Sequence, residues 1–116
     1  MASVLCVDDD VAIAQMVGRV VEFLGHTPVI CTDSFDVIMN HRRGHAAAVV
    51  DYLMPRFDGI ELLAAIQDVD PKCRRIMLTA APHEAAVREA VRSGIVQRVI
   101  GKPPTLFDLE SALAWL

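Results

Sequence analysis

The stretch AAAVVDYLMPRFDGI, residues 46–60, changes character twice. Residues 46–50 are continuously apolar, without the alternation of a half-exposed strand, which is the pattern of a strand covered on both faces. The run ends in an acid, Asp51. Residues 54–59 then carry Pro55 and Gly59 and read as a loop, after which Ile60, Leu63 and Ile66 return at helical spacing. A buried strand, a polar junction and an amphipathic helix follow one another within about twenty residues.

Strand and helix alternate on both sides of this stretch. Upstream, residues 4–7 form a compact apolar run that ends in Asp8-Asp9-Asp10. Ile13, Val17, Val20, Val21 and Leu24 then mark one helix face, with Gly25 placed to stop it. Residues 28–31 predict a second strand. A weaker helix is expected from Ser34 to Arg42-Arg43-Gly44, with its basic residues in the last turn, where the helix dipole favours them. Downstream, residues 75–78 predict a fourth strand ending at Thr79, and an Ala-rich helix is expected over 83–93, stopped by Gly94. Residues 96–100 predict a fifth strand ending near Lys102. Thr105 and Asp108 have capping-box spacing and open a last helix, on which Leu106, Leu109, Leu113 and Leu116 share a face. Five strands alternating with five helices predict an α/β fold with a parallel sheet covered on both faces.

Composition narrows the function. The 116 residues carry 11 basic and 15 acidic side chains, a net charge of −4, with one Trp, one Tyr and four Phe. That balance argues against a nucleic-acid surface built from cations and stacking rings. The longest stretch without a charge, residues 23–32, is interrupted by Gly25 and Pro28 and is too short to span a bilayer. The Met-Ala-Ser start lacks a basic region before an apolar stretch, so no secretory leader is expected. Cys6, Cys31 and Cys73 lie far apart with no CxxC pair and read as small buried residues in a reducing cytosol. These features predict a cytoplasmic single domain.

In an open parallel sheet, ligands bind beyond the carboxyl ends of the strands. The polar residues at those ends are Asp8, Asp9 and Asp10, then Asp51, Thr79 and Lys102. Asp10 reads best as a helix N-cap. Converging carboxylates repel one another unless a cation joins them, and an all-oxygen donor set suits Mg²⁺. A hydroxyl and an ammonium opposite that set would cradle a tetrahedral anion, which is the equipment of phosphoryl transfer. Asp51, alone at the end of the central strand, is the natural nucleophile.

These residues resemble the receiver domains of two-component response regulators. The motifs are Val7-Asp8-Asp9-Asp10, the segment from Val50-Asp51 to Asp58-Gly59, Leu78-Thr79-Ala80 and Gly101-Lys102-Pro103, in order and each at a strand end. The resemblance covers essentially the whole chain. It implies a flavodoxin-like, doubly wound five-stranded sheet of order 2-1-3-4-5 with five helices, and one receiver domain over residues 1–116. It further implies that Asp51 accepts a phosphoryl group from a sensor histidine kinase or phosphotransfer protein. Asp8, Asp9, Asp51 and the backbone carbonyl of Leu53 would hold Mg²⁺, and Thr79 and Lys102 would hold the phosphoryl group. Pro103 would follow a cis peptide bond, and Gly59 would serve the turn into the third helix. Helix 4, strand 5 and helix 5 would be the surface for a second copy or an output domain. The domain would switch partner binding without being a turnover enzyme, and would touch neither nucleic acid nor membrane.

Three departures accompany the resemblance. Val99 stands where relatives often carry an aromatic ring, so a signal would need another route from Thr79. Pro104 follows Lys102-Pro103 where an aromatic residue is common. Apolar Leu53 and Ala81 flank the site where polar groups often position water, which predicts slow loss of the phosphoryl group.

Other functions fit the residues less well. An aspartate-based phosphohydrolase needs a second acid two residues after the nucleophile, and Leu53 occupies that place after Asp51. A phosphorylation-independent binding module remains the alternative. His41 and His45 read as a solvated helix end rather than a metal pair, and His83 as a surface or capping residue. Tyr52 reads equally as a partner contact or a half-buried loop ring. The apolar ending at Trp115 reads as a dimer or partner contact, as cover for a helix, or as the mark of a longer chain with an output domain.

Overall fold

The computed structural model describes residues 2–114 and 116. Five strands, β1 (Ser3–Val7), β2 (Thr27–Cys31), β3 (Ala47–Asp51), β4 (Arg74–Thr79) and β5 (Arg98–Gly101), form one parallel sheet of order β2-β1-β3-β4-β5. Between and after them run α1 (Val11–Phe23), α2 (Ser34–Asn40), α3 (Gly59–Val69), α4 (Ala85–Arg92) and α5 (Leu106–Leu113). The chain order reverses between β1 and β3, which opens a crevice at their carboxyl ends.

The strand pleat divides the core in two. Leu5, Val7, Ala48, Val50 and Met77 point to one face and meet Val37 of α2, Leu62, Leu63 and Ile66 of α3, and Val87 and Ala90 of α4. Val4, Cys6, Val49, Ile76 and Leu78 point to the other, against Val17 and Val21 of α1 and Leu109, Ala112 and Leu113 of α5. Every residue of β3 is buried, as a central strand covered on both faces requires. Among the described residues no helix is long and apolar enough to cross a membrane.

Helix boundaries follow local chemistry. Asp10 caps α1, accepting from the amides of Ala12 and Ile13. Reciprocal capping boxes open α3 (Asp58 with Glu61) and α5 (Thr105 with Asp108).

Several expected boundaries move. Helix α2 ends at Asn40, so Arg42 and Arg43 lie beyond it rather than in its last turn: His41 leaves the helical region at φ −133°, and Gly44 reverses the chain at φ 93°. Helix α4 starts at Ala85, because the Ala81–Glu84 turn places Glu84 in extended geometry as its cap. Strand β5 starts at Arg98, since the Val96 amide donates to the Ala90 carbonyl at the end of α4. On α5 the buried face is Leu109, Ala112 and Leu113. Leu106, grouped with them by spacing, is half exposed in the first turn. Trp115 lies outside the described residues.

Candidate functional site

The strands deliver their terminal side chains to one crevice. Asp8 follows β1, Asp51 ends β3, Thr79 ends β4 and Lys102 follows β5. Asp8, Asp51 and Thr79 are buried, Asp9 is exposed and Lys102 is intermediate. Burying three polar groups at strand ends is costly unless each is partnered, and the fold partners them. The Asp8 carboxylate accepts from the Asp10 amide at 2.9 Å, while its own amide donates to the Cys31 carbonyl at 3.2 Å. Thr79 Oγ1 accepts from the Ala81 amide at 3.0 Å. The Lys102 amide donates to the Thr79 carbonyl at 3.0 Å, and the Lys102–Pro103 bond is cis.

Lys102 organises the charges. Its Nζ lies 2.9 Å from Asp8 Oδ2 and 2.9 Å from Asp51 Oδ1, bridging the two buried acids. Burial pushes the Asp51 carboxyl up to about 6 and the Asp8 charge adds to that, while Lys102 pulls the other way. Burial alone would lower the Lys102 ammonium, but its two carboxylate partners carry it above its ordinary value.

Asp8, Asp9 and Asp51 each offer a carboxylate oxygen, all within 4.8 Å of one another. Three carboxylates face a single ammonium, so the cluster retains negative charge when all are ionised. Its donors are hard oxygens, a set that fits Mg²⁺ and offers nothing to a soft metal. Beside the cluster lies a shallow depression of about 200 Å³, lined by Asp51, Tyr52, Leu53, Thr79, Ala80, Ala81 and Lys102. It is large enough for a tetrahedral oxyanion and too small for a nucleotide or flavin. Exposed Leu53 and Ala81 give it an apolar rim.

The junction after Asp51 is built to fixed dimensions. The Gly59 amide donates to the Tyr52 carbonyl at 2.7 Å, docking the start of α3 on the end of β3. A Cβ on Gly59 would collide with the Asp51 carbonyl oxygen and approach Tyr52 Cα to 3.0 Å. Its φ is not positive, so Gly59 serves this close approach rather than the turn expected from the sequence. Ser34 at the start of α2 braces the same loop, donating to the Pro55 carbonyl at 2.7 Å and accepting from the Phe57 amide at 3.2 Å.

Two features of the site escape a reading of the sequence. Tyr52 is buried rather than half-buried, and its hydroxyl donates to Glu84 Oε1 at 3.2 Å. It thus joins the end of β3 to the residue that caps α4. No spacing rule links residues 32 positions apart, so only the fold reveals the pair. The brace from Ser34 is hidden for the same reason. Val99 sits half-buried on the sheet face shared with α2, α3 and α4, where it has no ring to swing.

Known proteins share this fold. Residues 4–114 match the response regulator receiver domain family. The chain is 30% identical to the response regulator MprA of Mycobacterium sp. (strain KMS), over 96% of this chain and 47% of that protein. It is also 30% identical to the photosynthetic apparatus regulatory protein RegA of Rhodobacter capsulatus, over 96% of this chain and 60% of that protein. The chain therefore spans about half the length of such relatives. A solved CheY-like response regulator receiver domain protein from Methanospirillum hungatei JF-1 superposes with a TM-score of 0.86 at 24% identity, over 99% of this chain and 92% of that one, which shows the shared fold.

Proposed function

The chain belongs to the response regulator receiver domain family, and from that premise we propose that it is a phosphorylation-switched receiver with Asp51 as its phosphoacceptor. The observation that carries this reading is the placement of Asp51: a carboxylate at the end of the central strand, 2.9 Å from Lys102, opening on a depression that also presents Thr79. A phosphohistidine on a sensor kinase or phosphotransfer protein is the donor. An Asp51 carboxylate oxygen attacks phosphorus, the P–N bond breaks, and its electron pair returns to the donor imidazole. Lys102 leaves its carboxylate partner for a phosphoryl oxygen, and the Thr79 hydroxyl donates to another. Asp8, Asp9 and Asp51 would hold Mg²⁺, together with the carbonyl of Leu53, and when bound the ion would supply charge neutralisation for the equatorial oxygens. Only ionised Asp51 is nucleophilic, and because the metal-free carboxyl is raised to about 6, protons would compete with Mg²⁺ for it below that pH, so transfer would fall with metal occupancy.

In this reading the domain forms and loses its own acylphosphate but turns over no external substrate, and it works in the cytoplasm, where such kinases present their phosphohistidine. The output face is α4, β5 and α5, where Val91, Leu106 and Phe107 are exposed. Intact mass after incubation with Mg²⁺ and acetyl phosphate tests the proposal. One added phosphoryl group is expected, absent with chelator and absent in Asp51→Asn. No adduct while Mg²⁺ still binds would replace this reading with a phosphorylation-independent binding module. Continuous release of inorganic phosphate would replace it with a phosphohydrolase.

A further inference from the structure

Away from the acidic crevice, three groups of different chemistry meet at the outer edge of the sheet. Cys31 is the last residue of β2, the edge strand, and is buried. Asp36 lies in the first turn of α2, and His41 is the residue that caps its carboxyl end. The Cys31 thiol, an Asp36 oxygen and a His41 ring nitrogen all lie within 4.8 Å of one another. Nothing in the receiver chemistry uses them, and Asp51 is not part of this cluster.

We propose that Cys31, Asp36 and His41 form a zinc-binding site with three protein ligands and a fourth position open to solvent. His41 Nε2 is 3.4 Å from Asp36 Oδ2. Two ligands about 2.0–2.1 Å from a tetrahedral zinc stand roughly 3.3 Å apart, so this pair is already at ligand spacing. Asp36 is oriented from behind, because its other oxygen accepts from the Asn40 side-chain amide at 2.7 Å. The thiol reaches the cluster from the core side, while the Asp36 and His41 side chains are 46% and 29% exposed. A metal could therefore enter from solvent and keep one water. Thiolate, imidazole and carboxylate together select a borderline metal such as Zn²⁺ over Mg²⁺, which prefers oxygen.

Among the described residues, only this cluster and the acidic one gather three such side chains. Cys6 and Cys73 belong to neither, and are core thiols only. Zinc here would tie the end of β2 to both ends of a seven-residue helix. Such a helix is too short to be stable without tertiary support.

Cobalt(II) is the probe, added to the metal-free chain and displaced by zinc. Bound at Cys31 it gives a sulfur-to-cobalt absorption band in the near ultraviolet, saturating at one equivalent. At the all-oxygen cluster it gives no such band. The band should vanish in Cys31→Ser, and binding should weaken by about tenfold or more in Asp36→Asn and in His41→Ala. It should persist in Cys6→Ser, Cys73→Ser and Asp51→Asn. With the acidic crevice saturated by excess Mg²⁺, zinc should also raise the melting temperature of the wild type by more than that of His41→Ala. Asp36 and His41 are partly exposed, so their variants keep the test valid if Cys31→Ser disturbs the core. No sulfur band in the wild type, a band that survives Cys31→Ser, or full affinity in both Asp36→Asn and His41→Ala would overturn the proposal.

Discussion

Replacing Asp51 by Asn should make the metal-free domain more stable at neutral pH, although it removes an ion-pair partner of Lys102. The carboxyl of Asp51 is pushed from its ordinary value of 3.8 to about 6 by burial and by the charge of Asp8, and Lys102 offsets only part of that. Asn keeps the shape and a carbonyl oxygen for Lys102 while removing the charge. One pH unit corresponds to about 1.4 kcal/mol, so a rise of about two amounts to about 3 kcal/mol. For a domain of this size that raises the melting temperature by roughly 10 °C.

The sign fixes the pH window. A carboxyl with a raised pKa binds its proton more tightly in the folded state, so folding is penalised above about pH 6 and the penalty disappears as pH falls toward 4. Urea unfolding of both proteins in chelator, from about pH 4 to about pH 8, measures the difference, from which the other titrating groups largely cancel. Asp51→Asn should be more stable at about pH 7.5, with the two curves converging near pH 4. An Asp51→Asn protein less stable than wild type at neutral pH, or a gap that does not change with pH, would refute the electrostatic account of the crevice.

Four further outcomes rest on the same geometry. Mg²⁺ should raise the melting temperature at neutral pH, with the effect fading below about pH 6 as Asp51 takes up its proton; calorimetric titration at both pH values checks this. Gly59→Ala should destabilise by about 1–3 kcal/mol in urea unfolding, because its methyl meets the Asp51 and Tyr52 backbone rather than a movable side chain. Tyr52→Phe should cost only about 1 kcal/mol, since the ring stays in the core and a single hydrogen bond to Glu84 is lost. Arg75→Met should cost about 3 kcal/mol or more by the same assay. The buried guanidinium donates to the carbonyls of Pro71, Cys73, Gly94 and Ile95, and their partners would go with it.

Arg75 shows how far local pattern carries. In sequence it is simply the first residue of a predicted strand. In the fold it binds the turn before β4 to the segment after α4, reaching Gly94 and Ile95, 19 and 20 positions along the chain. Burying an arginine is rare unless its donors are satisfied, and carbonyls have no sequence signature. The end of α2 teaches a similar lesson. Arg42 and Arg43 look like last-turn cations, yet the chain leaves the helix at His41, and the Gly44 amide donates to Asp70, 26 residues away. Loop termini depend on such distant side chains, whereas a buried strand is legible from its own continuous apolar run.

By itself the sequence determined the parallel α/β architecture, because an apolar run covered on both faces and a 3.6-residue apolar stripe are local periodicities. It also determined which polar residues stand at the strand ends, since in a parallel sheet every strand points the same way and delivers its last residue to one edge. Only the tertiary structure decided what those residues do to one another. That Lys102 bridges Asp8 and Asp51, that Asp51 holds its proton to about pH 6, that Tyr52 reaches Glu84, and that Cys31 meets Asp36 and His41 all depend on through-space distances of a few ångströms. Electrostatic and coordination energies fall off with that distance, and separation along the chain does not report it.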